Sequence, residues 1–254
     1  MRFQDKTIVI AGGGSDMGIV CAERFLEEGA KLMLIDISEE LLSKADGLKK
    51  RYPEHIWTRV GSVCRAKDMD SAMEYAAAQM GGISVLVNCA GIGGKGMVEE
   101  MTRESWQLAL DVTLSGTFHS CRAAVPYMKE AGWGRIINVA SIGGRANRPV
   151  NTAYSASKAA VCGMGRYMAV ELAPWNITVN TLAPGPINAG MFKQSEHDPD
   201  PELRKARKLL EETVALGRLG NMEEIAEGIL YFADEPADAV TGEILDINGG
   251  AYMC

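Results

Sequence analysis

The chain is 254 residues long, 47% hydrophobic and 23% charged, proportions of a folded globular protein that exclude disorder as its main state. A formal net charge of −7, with no basic run longer than Lys49-Lys50-Arg51, excludes a nucleic-acid groove, which needs concentrated lysine and arginine. Apolar runs are broken well short of a membrane span and residues 1–6 lack the shape of a signal peptide, so a cytoplasmic protein without membrane contact is expected.

In chain order, a β-branched run predicts a strand at 7–11, which leads through a glycine turn into a helix at 17–28. Strands at 31–36 and 56–60 follow, then a helix at 66–80, a strand at 85–88 and a long helix at 104–129. The second half alternates in the same way: strand 135–140, helix 153–172, strand 178–182, helix 222–232 and strand 244–247. Short strands alternating with longer helices predict an α/β fold, a parallel sheet of about seven strands with helices on both faces. No repeat, composition break or low-complexity linker divides the chain, so one domain is expected over 1–254. Only 191–216, with its acidic Pro-rich start and charged amphipathic continuation, fits the alternation poorly. Residues 189–217 read either as a lid over a ligand or as a surface excursion with no role.

The six cysteines have no CxxC spacing and sit mostly in apolar segments, as reduced buried thiols do. His55, His119 and His197 are scattered, and no metal site is expected.

Two segments carry chemistry. After the first strand comes Ala11-Gly12-Gly13-Gly14-Ser15-Asp16-Met17-Gly18, whose glycines let backbone N–H groups and a helix N-terminus approach a pyrophosphate. A glycine cluster alone serves any tight turn, but Asp36 ends the second strand 18 residues after Gly18. A carboxylate there accepts both hydroxyls of an adenosine ribose and repels a 2′-phosphate, and no Lys or Arg lies between Lys6 and Arg24 to offset it. NAD(H) is therefore the expected cofactor.

The second segment, Tyr154-Ser155-Ala156-Ser157-Lys158, puts a phenol and an ammonium four residues apart on one helix face. Ser141 precedes it at a strand end, and in a parallel sheet strand ends and the following helices face the ligand crevice. Hydride transfer to a ketone needs a proton donor at the oxygen. An ordinary tyrosine titrates near ~10, and bringing it to about 7 or 8 takes on the order of 3–4 kcal/mol of preferential stabilisation of the phenolate. A neighbouring lysine supplies part of that, and a serine holds the substrate oxygen.

With the glycine loop at 12–18, Asn88-Cys89-Ala90-Gly91, Ser141, Tyr154-xxx-Lys158, Pro184-Gly185 and Asn248-Gly249-Gly250 in this order, the chain resembles the short-chain dehydrogenase/reductase family over its whole length. The resemblance implies a single-domain, Rossmann-type doubly wound sheet in a homotetramer. Tyr154 would be the acid/base, Ser141 the partner of the substrate oxygen, and Lys158 the contact to the nicotinamide ribose. The family's cofactor contacts fall on Gly12, Gly14, Ser15, Asp16, Met17, Gly18, Asp36, Ser62, Val63, Asn88, Ala90, Gly91, Pro184, Gly185 and Ile187. Of these, Asn88 would line the adenine-ribose side and the Ile187 backbone would meet the carboxamide.

Departures fall on the cofactor side. Ala11 replaces a usual Thr, Asp16 a usual Gly, Ser62 a usual Asp and Ala189 a usual Thr. Thr113 stands at the fourth catalytic position, commonly Asn, which holds a helix irregularity whose carbonyl anchors a water. Asp16 must point away from the pyrophosphate or weaken dinucleotide binding.

On the substrate side, Arg145 and Arg148 would recognise an anionic group, or else stand solvated or at an oligomer contact. Met191 and Phe192 would line an apolar pocket. Two functions remain open: an NAD-dependent secondary-alcohol dehydrogenase or carbonyl reductase, and a dinucleotide-binding regulator or scaffold without turnover.

Overall fold

Successive strand residues face opposite sides of a sheet, and in this chain both sides are apolar. The computed structural model describes residues 1–146, 151–189 and 199–253. Its strands are β1 (Thr7–Ala11), β2 (Lys31–Asp36), β3 (Ile56–Val60), β4 (Val85–Asn88), β5 (Gly134–Val139), β6 (Ile177–Pro184) and β7 (Ile244–Ile247). They form one seven-stranded sheet in the order β3-β2-β1-β4-β5-β6-β7, every neighbouring pair parallel. Ile8 and Ile10 enter one core with Leu32, Leu34, Val85 and Val87, while Val9, Ala11, Met33, Ile35 and Leu86 enter the other. The unbroken apolar strands in the sequence are therefore strands buried on two sides.

The helices are α1 (Asp16–Glu27), α2 (Glu39–Ser43), α3 (Asp46–Arg51), α4 (Ala66–Met80), α5 (Arg103–Leu110), α6 (Gly116–Ala131), α7 (Thr152–Leu172), α8 (Pro201–Glu212) and α9 (Met222–Ala233). Cys21, Ala22 and Phe25 of α1 and Ile225, Ala226 and Ile229 of α9 cover the first face. Met69, Ala72 and Met73 of α4, Cys121 and Ala124 of α6, and Ala169 and Leu172 of α7 cover the second. Each fully buried Phe, Ile, Leu or Met among them contributes about 1.5–3 kcal/mol.

Local signals set the ends: Ser15 caps α1 through Gly18 N, Gly81 closes α4 at φ 84, and Asn221 and Glu224 form a reciprocal box at the start of α9. The short α2 and α3 carry no amphipathic period and are absent from the predicted elements. The expected helix at 104–129 is interrupted by a π-helical turn at Asp111–Ser115 between α5 and α6. No helix among the described residues is long and apolar enough to cross a membrane.

The chain runs outward from β1 to β3 and returns to β4 on the other side of β1. Strand order therefore reverses between β1 and β4, and a crevice opens above their C-terminal ends.

Candidate active site

The crevice is built from the β1–α1 turn. Gly12 has φ +80, and a Cβ there would lie 2.5 Å from Ala90 N, so only glycine lets the turn pass this close to the strand beyond. Ser15 Oγ donates to Gly12 O at 2.7 Å and accepts from Gly18 N at 3.1 Å, fixing the turn against the helix start. From the end of β2, Asp36 accepts hydrogen bonds from Gly14 N at 2.8 Å and Ile37 N at 2.7 Å. These groups open onto a cavity of about 410 Å³ lined by Gly12, Ser15, Asp36, Ser62, Val63, Ala90 and Gly91. Val63 is held in place by its carbonyl's 2.9 Å contact with His119 Nδ1. A glycine cradle at a helix N-terminus with a carboxylate at the neighbouring strand end fits a dinucleotide.

Asp16 does not line this cavity; Lys44 Nζ donates to its carboxylate at 2.9 Å and both side chains are largely exposed. The carboxylate is thus turned outward, which removes the conflict raised by its position in the loop. Met17 packs against the core and Gly18 is buried beneath Gly12. Asn88 is also away from the cleft. Its Nδ2 donates to Asn138 Oδ1 at 2.9 Å and to Cys121 Sγ at 3.3 Å, so its side chain joins β4 to β5 and α6 instead of lining the adenine-ribose side. Burial there pushes the Cys121 thiol up to about 12.

Beside the crevice, Ser141 follows β5, and Tyr154 and Lys158 lie one turn apart on α7. Ser141 Oγ accepts from Gly143 N at 3.0 Å, which leaves its proton free to donate elsewhere. Lys158 is buried, its Nζ donates to Val139 O at 2.7 Å, and it lies 5.9 Å from the centre of the Tyr154 ring. Burial lowers its ammonium to about 8, and among the described residues no carboxylate pairs with it. A Cβ on Gly91 would come within 2.9 Å of Lys158 Nζ, so the ammonium sits directly behind the wall of the dinucleotide cleft.

Thr113 lies in the π-helical turn and is fully buried. Its hydroxyl accepts from Ile92 N at 3.1 Å and is 3.3 Å from Ile92 O, while its carbonyl accepts from Thr117 Oγ1 at 2.7 Å. The helix irregularity expected of the usual asparagine is therefore present with threonine. Its side chain ties the helix to the segment after β4.

A second cavity, about 710 Å³, lies over Ser141 and Tyr154 and is lined also by Ile142, Asn151, Pro186, Ile187, Ala206, Leu210 and Thr213. Ile187 is held by a parallel bridge to Gly220. Pro184 is buried at the end of β6, and Gly185 N donates to Ile247 O at 3.0 Å. The Asn248-Gly249-Gly250 motif has a role that spacing alone did not show: Gly249 O accepts from Leu216 N at 3.0 Å, seating the segment that leaves α8.

Arg145 is not offered to a substrate, because it pairs with Asp246 and lies over the Tyr252 ring. Arg148, Met191 and Phe192 lie outside the described residues. Ala206, Leu210 and Thr213 fall within the 189–217 segment expected as a lid, whereas Asn151 was not anticipated as a lining residue. Asn151, three residues before Tyr154, carries a helix-start signal, whereas the α8 residues acquire their place only through the path of the chain.

A family model described as enoyl-(acyl carrier protein) reductase matches residues 12–252. The 3-oxoacyl-[acyl-carrier-protein] reductase of Thermotoga maritima is 37% identical over 257 residues, covering 100% of both chains. The crystal structure of levodione reductase matches at TM-score 0.91 and 30% identity over 98% of each chain. That of NAD+-bound xylitol dehydrogenase matches at TM-score 0.91 and 27% identity, over 98% of this chain and 100% of the other.

Proposed function

We infer the reaction from the chain's family as premise: the chain belongs to the short-chain dehydrogenase/reductase family and is a dinucleotide-dependent oxidoreductase of alcohol or carbonyl substrates. We propose that it interconverts a secondary alcohol and a ketone with NAD(H), using Tyr154 as acid/base, Ser141 as the partner of the substrate oxygen and Lys158 as the supporting cation. One observation carries the reading. Ser141 and Tyr154 face the larger cavity, while Lys158 stands between Tyr154 and the wall of the cleft that fits a dinucleotide.

Bound in that cleft, NAD(H) supplies the hydride acceptor or donor. Tyr154 Oη delivers a proton to the carbonyl oxygen in reduction and takes it back in oxidation. Ser141 Oγ–H donates to that oxygen, its proton being available while Oγ accepts from Gly143 N–H. The Lys158 ammonium stabilises the negative oxygen left on Tyr154, acting through a water-poor interior where its charge is little screened. Thr113 holds Ile92, which lines the smaller cavity and is followed by Gly93 in the wall of the larger one.

The lining of the larger cavity favours a neutral, largely apolar substrate. Ile142, Pro186, Ile187, Ala206 and Leu210 line it with apolar side chains, and Arg145 is engaged by Asp246. The described residues 199–217, with α8 facing the cavity through Ala206 and Leu210, act as its lid; residues 190–198 of the expected lid lie outside the described residues.

The test is a panel of levodione, xylitol and a 3-oxoacyl thioester with NAD(H) and NADP(H), followed by nicotinamide absorbance. Reduction of the cyclic dione faster than turnover of the polyol is expected. Tight NAD binding with no turnover on any member would instead favour the regulator. For the cofactor, Asp36→Ala is expected to narrow the NAD-over-NADP ratio of kcat/KM by about 10–100-fold, as a lost charge repulsion and two lost hydrogen bonds imply. Equal use of both cofactors by the native chain overturns the NAD assignment.

We further propose a homotetramer. Phe118 on α6 and Tyr167 and Val170 on α7 expose 49%, 75% and 77% of their surface along adjoining helices, an apolar face suited to a second copy. Val170→Glu is expected to convert the native species to a smaller one by light scattering. A native monomer would refute the assembly.

A further inference from the structure

The start of the catalytic helix is joined to the wall of the substrate cavity by one side chain. Asn151 caps α7: its Oδ1 accepts from Ala153 N at 2.9 Å and from Tyr154 N at 3.4 Å. Its Nδ2 donates in the other direction, to Gly96 O at 2.8 Å, in the segment that follows β4. That segment lies directly on the helix start, where a Cβ on Gly94 would come 2.8 Å from Asn151 Oδ1 and 3.1 Å from Ala153 Cβ. Asn151 and Gly93 both line the cavity that also holds Ser141 and Tyr154.

Chemistry narrows the residue. Serine, threonine and aspartate cap a helix as well as asparagine does, and aspartate gains from the helix dipole. Aspartate has no donor, and in serine and threonine donor and acceptor share one oxygen close to the backbone; only the carboxamide carries them on separate atoms, so that Oδ1 holds the cap while Nδ2 reaches Gly96 O. The segment's other bonds run to Thr113, α5 and its own turn: Ile92 N donates to Thr113 Oγ1 at 3.1 Å, Lys95 N to Ser105 Oγ at 2.8 Å and Met97 N to Glu100 Oε2 at 3.4 Å, and Met97 and Val98 are 69% and 70% exposed. The Asn151–Gly96 bond is the point at which this segment is fixed to the element carrying Tyr154.

We infer that Asn151 is a positioning residue that clips the 92–98 segment to the start of the catalytic helix and so sets the width of the substrate cavity beside Tyr154. The inference rests on the reading of that cavity as the substrate site. Asn151→Ser and Asn151→Asp keep the cap and lose the clip, and Asn151→Asp also sets a carboxylate against Gly96 O. Asn151→Ala loses both.

Hydrogen exchange on the full chain and steady-state reduction of levodione with NADH separate these roles. In the Ser and Asp variants, melting temperature stays within about 2 °C of native, as an intact cap requires. Amides at Lys95 and Met97 exchange at least about tenfold faster. KM rises about fivefold or more while kcat stays within about threefold, the scale of one lost neutral hydrogen bond. The Ala variant adds a fall of about 2–4 °C. Native exchange and native KM in both cap-preserving variants would overturn the clip, since a purely structural cap moves only the melting temperature. If the native chain reduces no ketone, the functional reading fails, and the exchange comparison alone decides the clip.

Discussion

Replacing Tyr154 by phenylalanine is expected to lower kcat/KM for the ketone by about 10³–10⁴-fold, while NAD binding stays within about threefold and the fold is unchanged. That loss corresponds to about 4–5.5 kcal/mol of transition-state stabilisation. The separation of the three effects follows from where the hydroxyl stands. Tyr154 faces the 710 Å³ cavity and its ring is half-buried on α7, so phenylalanine keeps the packing. The backbone of Tyr154, bonded to Asn151, is also untouched.

Ser141 would still hold the substrate oxygen and Lys158 would still stand behind the dinucleotide wall, so binding survives while proton transfer is lost. Single-turnover absorbance with saturating NADH, beside a binding titration, checks this. A Phe variant retaining a tenth or more of native kcat/KM would show that another group or water supplies the proton.

How much of this was readable without coordinates depends on the range of the interaction. All seven strands stand where β-branched runs placed them, because the central strands are buried on both faces and strongly apolar, and that constraint is local. The convergence of Gly12, Asp36, Ser141, Tyr154 and Lys158 followed from topology, since a parallel sheet carries strand ends and helix starts to one edge.

What failed to be legible depends on side-chain direction. Asn88 stands at the right edge, but its amide turns between β4, β5 and α6 to meet Asn138, a partner 50 residues away. Asp16 lies in the phosphate turn and faces Lys44, which pattern reading had no reason to connect with it. Arg145 looked available for an anionic substrate until Asp246, 101 residues later, arrived beside it on β7. The π-helical turn leaves the apolar period of 104–129 nearly intact, so only the family position of Thr113, and not the periodicity, pointed to it.

Lys158→Met is expected to abolish most turnover and, in the same molecule, to make the fold more stable. Lys158 is a buried ammonium whose visible partner is the Val139 carbonyl, and burial brings it to about 8 from an ordinary value of 10.5. A fall of that size means the charged form costs the folded state about 3 kcal/mol relative to the neutral form, at 1.36 kcal/mol per unit. The sign follows from proton counting. Between pH 8 and 10.5 the unfolded chain holds a proton on Lys158 that the folded chain has released, so this residue makes native stability rise with pH across that window.

Below pH 8 both states are protonated and the full penalty stands. Methionine carries no charge and similar length, so Lys158→Met should exceed the native chain by about 1–3 kcal/mol in urea unfolding at pH 7, the lost hydrogen bond to Val139 offsetting part of the gain. The gap should narrow by about 2 kcal/mol at pH 9.5, where most of the native penalty has gone. Titrating groups remote from Lys158 are common to both proteins and cancel in the difference. A variant no more stable than native at pH 7, or a gap that widens with pH, would show that the ammonium is compensated in the fold. The expected pattern instead describes a cation kept at a cost to stability because the oxygen of Tyr154 needs it nearby.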